Sequence, residues 1–183
     1  MPEIADRFRS VAAAFTQRVD AVPAEAWDNP APCEGWVARD VVGHLVEWVP
    51  AFLSNYADTE LPAGPSVNED PRRAWSATRD AIQAALDDPA RAARQCNAPG
   101  GPMTVAQAVN QFVTNDVLLH TWDLARATGL DETLDADEVH QLLMDMEPLD
   151  EMLRKSGHYG PRVEVPDDVD EQTKLIAFIG RRP

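Results

Sequence analysis

The chain has 183 residues and a mass of 20.1 kDa, the size of about one domain. Hydrophobic residues make up 44% and charged residues 26%, a composition typical of a packed globular protein and too apolar for a disordered one. The formal net charge is -15 at pH 7, from 16 Lys and Arg against 31 Asp and Glu. Because a surface of that sign repels phosphate backbones and anionic lipid headgroups, we expect no nucleic-acid or membrane partner.

The termini and the cysteines indicate a compartment. No window approaches the roughly 18 uninterrupted apolar residues of a membrane span, and the opening MPEIADRFRS has neither the basic region nor the apolar region of a signal peptide. Two cysteines, Cys33 and Cys96, are too few for a disulfide framework. We therefore predict a cytoplasmic protein with reduced thiols.

Helical periodicity dominates the first half of the chain. Apolar residues recur at intervals of three and four over residues 4–22 and 37–56, which predicts two helices, the first of them ended by Pro23. Pro50 lies inside the second helix and is expected to kink it. A third helix is predicted over residues 71–88, because proline suits its first turn.

A long fourth helix is predicted in the second half. An irregular or weakly extended segment, RQCNAPGGPM at residues 94–103, precedes Thr104, whose side chain suits a helix N-cap. The helix is predicted to run to about Thr128, with Gly129 as its C-cap.

The remaining elements are short. Asp135 can cap a fifth helix that runs to about Arg154 and is bent or split at Pro148. The tail GHYGPRVEVPDD, residues 157–168, is assigned one short strand, and EQTKLIAFIG, residues 171–180, a terminal helix.

The order of these elements predicts the fold class. Since helices and strands do not alternate as a parallel sheet requires, we predict an all-α bundle. The chain is expected to form one domain over residues 1–183, with the bundle at about 1–155 and a C-terminal extension at 156–183.

Two polar residues lie on the predicted core face of the fourth helix. That face comprises Val105, Val109, Phe112, Val113, Asp116, His120, Leu124 and Ala127. Asp116 and His120 are four residues apart, so their side chains stand roughly 6 Å apart along the axis on one face, where both can reach one ion.

The second helix offers a third donor. His44 lies three residues after Val41 and four before Trp48, on the apolar face. Two imidazoles and a carboxylate from facing helices are a common set for a divalent transition metal, and three protein ligands leave a position for water or substrate. His44, Asp116 and His120 therefore predict a metal site of the catalytic type.

Each of these ligands has a structural alternative. His120 alone is more often a core histidine that donates to a backbone carbonyl, and Asp116 alone more often forms a salt bridge or an interhelical hydrogen bond. A shared cation is favoured because one ion satisfies all three groups at once.

Two further polar residues are open to two interpretations. Asp123 could accept a hydrogen bond from the imidazole of His120, but a solvated acid or a salt bridge with Arg126 or Arg39 is favoured. Cys33 could be a soft metal ligand or a thiol beside the site, but a plain reduced cysteine is favoured.

The remaining aromatic residues and histidines give weaker signals. Trp36, Trp48 and Trp122 could wall a pocket, although tryptophan at helical spacing more often belongs to the core. His140 and His158 have no partners at ligand spacing and are predicted to lie at the surface.

Three segments carry a resemblance to a known family. PAPCEGWVARDVVGHL, NDVLLHTWDLARATG and the closing RVEVPDDVDEQTKLIAFIGRRP resemble the short members of the DinB-like superfamily related to the metal-binding N-terminal domain of mycothiol-dependent maleylpyruvate isomerase. The resemblance implies a DinB-like four-helix bundle with short extra helices. It also implies a three-ligand divalent metal site that falls on His44, Asp116 and His120.

The chain departs from the family pattern at three points. The acid of the later helix is a glutamate in the isomerase but Asp116 here, one methylene shorter. The usual Ser or Thr after Gly-Trp is Val37, so the cap of the second helix must come from elsewhere. The C-terminal domain of the isomerase has no full counterpart, so its particular substrate does not carry over.

The resemblance implies a metal-dependent thiol transferase or isomerase that uses a low-molecular-weight, mycothiol-like thiol on a small electrophile. Zinc suits the ligand set best, with nickel, manganese and iron as alternatives. A metal-dependent hydrolase that activates water and a non-enzymatic binding module braced by metal remain as rival hypotheses. The sequence leaves open the electrophile and whether the chain forms a homodimer.

Overall fold

Four amphipathic helices pack side by side in a computed structural model, which describes residues 2–157 and 159–183. The elements in chain order are α1 (Pro2–Ala21), α2 (Ala38–Ala57), α3 (Pro71–Asp87), α4 (Pro89–Ala92), β1 (Gln95–Ala98), β2 (Gly101–Thr104), α5 (Val105–Ala108), a π-helical segment (Val109–Thr114), α6 (Asn115–Thr128), α7 (Ala136–Met146), α8 (Asp150–Ser156) and α9 (Glu171–Phe178). Short 3₁₀ turns occupy Ala24–Ala26 and Glu147–Leu149. The predicted all-α class is confirmed.

The bundle is a ring of four helices. α1 packs against α3 and α6, and α2 packs against the same two helices from the other side. The core between them is mostly apolar, and in it the buried ring of Phe15 meets Trp75 edge to face at 4.7 Å between ring centroids. The indole N–H of Trp75 donates to Thr16 Oγ1 at 2.9 Å, so this large side chain is buried without an unsatisfied donor.

Most predicted helix ends are confirmed. Thr104 caps α5 by accepting from the backbone N–H of Gln107 at 3.1 Å, and Gly129 ends α6 in the left-handed conformation. At α2, Asp40 Oδ2 accepts from the backbone N–H of Val37 at 2.9 Å, which supplies the cap that the valine side chain cannot. The helix continues through Pro50.

The predicted fourth helix contains a π-helical segment that periodicity did not indicate. Val109–Thr114 separates α5 from α6, and Thr114 Oγ1 donates to the carbonyl of Val109 at 3.2 Å. Arg7 of α1 donates to the carbonyl of Asn110 at 3.1 Å and to the side chain of Asn115 at 2.8 Å. These bonds satisfy groups that a wider helical turn leaves exposed, directly before the turn that carries Asp116.

One prediction of extended structure is made more specific by the structure, and another needs correction. The segment predicted as irregular or weakly extended is a β-hairpin in which β1 pairs antiparallel with β2, with Cys96 opposite Met103. The strand predicted within 157–168 is absent from the described residues of that tail. A strand needs a neighbour, and the backbone N–H of Val163 instead donates to the carbonyl of Ala177 in α9 at 2.9 Å.

The C-terminal segment is fastened to the bundle through α9. This helix packs on α7, and it ends in a Schellman motif: Gly180 N–H donates to the Ala177 carbonyl at 3.1 Å, and Arg181 N–H donates to the Ile176 carbonyl at 3.0 Å. Arg154 of α8 donates to the Phe178 carbonyl at 2.5 Å and also to the carbonyl of Gly160. These hydrogen bonds therefore fix the course of the backbone from Phe178 to Arg181.

Truncating Phe178 should loosen that attachment. The ring is 1% exposed, so Phe178→Ala is expected to lower the free energy of unfolding by about 3–5 kcal/mol through lost burial and an unfilled cavity. Met152→Ala, at a side chain that is 58% exposed, is the matched control and should change it by less than about 0.5 kcal/mol. Urea unfolding followed by circular dichroism measures both, and equal effects would contradict the packing described here.

Candidate metal centre

The three predicted ligands meet between α2 and α6. His44 Nε2 lies 3.1 Å from Asp116 Oδ2, and His120 Nε2 lies 3.5 Å from Asp116 Oδ1. One donor atom from each residue lies within 4.8 Å of the other two. The carboxylate thus stands between two imidazoles, with two nitrogens and one oxygen turned toward each other, a donor set and spacing that fit a divalent ion.

The three ligands differ in exposure. The His120 side chain is 7% exposed, whereas His44 and Asp116 are 27% and 23% exposed. The cluster is therefore closed at His120 and open to solvent at His44 and Asp116.

His120 is held from behind by Asp123. The imidazole Nδ1 lies 2.9 Å from Asp123 Oδ2, and the aspartate is fully buried at 0% exposure. A carboxylate accepts but cannot donate, so Nδ1 carries the proton and Nε2, which faces Asp116, is left as the donor atom for a cation.

Asp123 also binds a cation from the C-terminal segment. Arg181 Nε donates to Asp123 Oδ1 and Arg181 Nη2 donates to Asp123 Oδ2, both at 3.1 Å, a bidentate pair. Arg181 Nη2 also donates to Cys33 Sγ at 3.1 Å, and that thiol donates to Asp123 Oδ2 at 3.4 Å. We call Cys33, His120, Asp123 and Arg181 the Asp123 cluster.

Two local backbone structures place Cys33 and Arg181 beside Asp123. The Cys33 carbonyl accepts from the Trp36 N–H at 3.1 Å, closing a tight turn in which Gly35 has φ of +77°, a conformation that favours glycine. At the other end, Gly180 in the Schellman motif has φ of +85°. A Cβ at Gly180 would lie 3.1 Å from the backbone of Gly160, closer than an ordinary van der Waals contact, so glycine suits this position on both counts.

The charges of the site act strongly on its titrating groups. Burial lowers the pKa of His120, but the charge of Asp116 and the hydrogen bonds of Asp123 and Cys33 outweigh it and raise that pKa to about 10. Burial raises the pKa of Asp123, but the hydrogen bond and charge of His120, together with Arg181, lower it to about 2. Two buried or half-buried carboxylates therefore require positive charge between them, from a proton or from a metal.

Aromatic rings flank the open side. The ring of His44 lies 5.1 Å from Trp36 and 5.8 Å from Trp48, centroid to centroid, the second pair nearly parallel. Both indoles are partly exposed. Tyr159, from the C-terminal segment, is mostly buried, and burial together with the charge of Asp116 raises its pKa to about 12.

The structure corrects the favoured interpretation of Asp123. It is neither solvated nor paired with Arg126 or Arg39, which bind Glu132 and Asp28. The carboxylate instead accepts from His120, the interpretation that the spacing of three residues also allowed.

Of the other weaker predictions, some are confirmed and some are confirmed only in part. Cys33 is reduced, as predicted, but lies in the Asp123 cluster rather than apart from the site. Trp36 and Trp48 border the site, while Trp122 is 2% exposed and belongs to the core. His140 is exposed, as predicted, and pairs with Glu171; His158 lies outside the described residues.

The raised pKa of His120 predicts a pH dependence of the metal-free protein. The stabilisation from the protonated imidazole is fully present below the unfolded pKa of 6.5 and is lost as pH rises through about 10. The melting temperature measured in EDTA should therefore fall over that range, and it should fall less in His120→Gln. His140→Gln, an exposed histidine paired with Glu171, is the control and should follow the wild type; parallel curves for all three proteins would contradict the coupling.

Comparison with known proteins places the site in a family context. Residues 8–125 match the model of the family described as Mycothiol maleylpyruvate isomerase N-terminal domain. Two relatives, both described as uncharacterized proteins of Mycobacterium tuberculosis (strains CDC 1551 / Oshkosh and ATCC 25618 / H37Rv), are 29% identical over 173 residues, 92% of this chain and 92% of each relative. No solved structure matches. Within the described residues, no helix combines the length and hydrophobicity needed to cross a membrane.

Proposed function

The chain belongs to the mycothiol maleylpyruvate isomerase N-terminal domain family, within the DinB-like superfamily, and from this premise we propose that it is a metal-dependent thiol transferase or isomerase. Its cosubstrate is a low-molecular-weight thiol of the mycothiol type, and its second substrate is a small electrophile. The observation that carries the proposal is the convergence of His44, Asp116 and His120 on one position. All three lie within the matched residues.

His44, Asp116 and His120 would hold the ion, and zinc suits two imidazoles and a carboxylate best. In the described part of the chain the group that includes Asp116 has three members, which supports a coordination position left for a ligand. A divalent ion bound there supplies Lewis-acid chemistry, lowering the pKa of a thiol that occupies the remaining position.

The protein's own contribution is orientation. Asp123 accepts the Nδ1 proton of His120, which keeps Nε2 directed at the shared position. Because His120 and Asp123 are both buried, this arrangement is set before any ligand arrives. The carboxylate of Asp116 bridges toward both imidazoles and so fixes their separation.

Access is from the side of His44 and Asp116, the two ligands that remain partly exposed. The rings of Trp36 and Trp48 both lie close to the ring of His44 and cover part of its surface. A thiol and an electrophile that approach there meet apolar indole faces beside a charged centre, an environment that strengthens the electrostatic interactions of the reacting groups.

Metal content and thiol transfer test the proposal together. Purified protein is analysed for bound zinc, nickel, manganese and iron. It is then assayed with mycothiol for maleylpyruvate isomerisation and for conjugation of chlorodinitrobenzene, in which a carbon–sulfur bond forms and chloride leaves with its electron pair. His44→Ala and Asp116→Asn should each lower metal affinity by more than about 100-fold, because loss of a partner one shell further out already costs about 10–100-fold, and activity should fall in parallel.

His140→Ala removes an exposed histidine with its own partner, Glu171, and should leave metal content and activity unchanged. Wild-type protein without metal, or full activity in Asp116→Asn, would refute the proposal. Turnover without any thiol would instead indicate a hydrolase that activates water. Bound metal without thiol-dependent chemistry would indicate a bracing role.

A further inference from the structure

Two groups of metal-ligating residues share His120. The first, His44 with Asp116 and His120, lies on the Nε2 side of the imidazole, and the second, Cys33 with Asp123 and His120, lies on the Nδ1 side. The second group also brings its donor atoms within 4.8 Å of one another. Thiolate, carboxylate and imidazole together form a ligand set that zinc accepts readily, so its chemistry alone would admit a second ion.

That second position already contains a cation. The guanidinium of Arg181 contacts both carboxylate oxygens of Asp123 and the sulfur of Cys33, each at 3.1 Å. A guanidinium keeps its charge at all physiological pH values, so the buried carboxylate of Asp123 is neutralised without a metal. The same contacts cover the sulfur and the carboxylate that a second ion would use.

We propose that Arg181 is a positioning residue that takes the place of a second metal ion: it excludes metal from the group formed by Cys33, Asp123 and His120, and it holds Asp123 so that His120 serves a single ion beside His44 and Asp116. The inference rests on the metal site of the proposed function. It adds that the site holds one ion and that the guanidinium of Arg181 sets this number.

The backbone is built to deliver this side chain. Arg181 is the residue after Gly180, whose left-handed conformation completes the Schellman motif of α9. A Cβ at Gly180 would press on the backbone of Gly160 at 3.1 Å, so glycine allows the two segments to approach closely immediately before Arg181. Arg154 holds the two segments together by donating to the carbonyl of Phe178 in α9 and to the carbonyl of Gly160.

The residue lies outside the part of the chain that matches the family. The match ends at residue 125, and Arg181 is contributed by the segment after α9. Single-ion selectivity is therefore assigned to the C-terminal segment, whereas the ligands themselves lie on α2 and α6.

Removing the guanidinium leaves a buried carboxylate with one fewer counter-charge. An unpaired buried anion is costly, so it must recruit another cation or destabilise the fold. In Arg181→Met, a side chain of similar length without charge, the vacated position is lined by a thiol, a carboxylate and an imidazole. It should accept a divalent ion, with the protons of Cys33 Sγ and His120 Nδ1 released to solvent, so that the imidazole serves one ion through each nitrogen.

Cobalt titration of the intact protein, followed by absorption spectroscopy, separates the two positions, because a sulfur ligand adds an intense near-ultraviolet charge-transfer band. Wild type should bind one equivalent without that band. Arg181→Met should bind a second equivalent with the band, and the band should vanish when Cys33→Ser is added. Affinity at the first position should fall about 10–100-fold, as expected when support for a ligating histidine is lost.

Two variants serve as controls. Arg182→Met changes the exposed neighbouring arginine and should titrate as wild type. Cys33→Ser in the otherwise wild-type chain should also bind one equivalent with an unchanged spectrum, a test that stands even if Arg181→Met fails to fold.

A sulfur band in wild type, or a second equivalent bound by wild type, would overturn this inference and leave the proposed function intact. An Arg181→Met protein that folds and still binds one sulfur-free ion with wild-type affinity would also overturn it. Wild type that binds no cobalt at all would overturn the proposed function, and the inference with it.

Discussion

The hydrogen bond between His120 and Asp123 is the contact on which the site depends. It lies in the mostly apolar interior of the bundle. There it buries two polar groups, which must be satisfied by each other and by Arg181. Because Asp123 accepts from Nδ1, the imidazole has only one orientation available, with its other nitrogen toward Asp116 and His44. The direction of the donor atom is thus decided inside the core rather than at the exposed side of the cluster.

The four-helix arrangement explains why such a site can be both rigid and open. α2 and α6 are neighbours in the bundle and pack directly against each other, so side chains from both meet without any loop contributing one of the three predicted ligands. The loop before α2 and the segment after α9 instead supply the outer layer, Cys33 from a tight turn and Arg181 from a Schellman motif. Rigid helices set the distances between ligands, and two glycine-dependent turns close the cluster behind them.

Helical periodicity was sufficient to predict the three converging side chains, because His44, Asp116 and His120 each break an apolar stripe on a long helix. The same reasoning could not choose the partner of Asp123. Its strongest contact, Arg181, lies in a distant segment with no periodic relation to α6, so nearby arginines were the only visible candidates. The π-helical segment before Asp116 also had no sequence signal, since it depends on hydrogen bonds from Arg7 in another helix. Local pattern thus predicts which residues face inward, and tertiary pairing decides how their charges are balanced.

The three predicted ligands differ in exposure, so the cluster has one side that solvent can reach and one side that is buried. His44 and Asp116 are the more accessible of the three groups, whereas Asp123 anchors His120 in the interior. An ion bound at this position would therefore lose its contacts to His44 and Asp116 first and its contact to the buried imidazole of His120 last. An incoming ion would bind the imidazole first. A bound ion would then exchange at the solvent-facing side of the cluster, while the buried contacts of His120 keep the framework of the site in place.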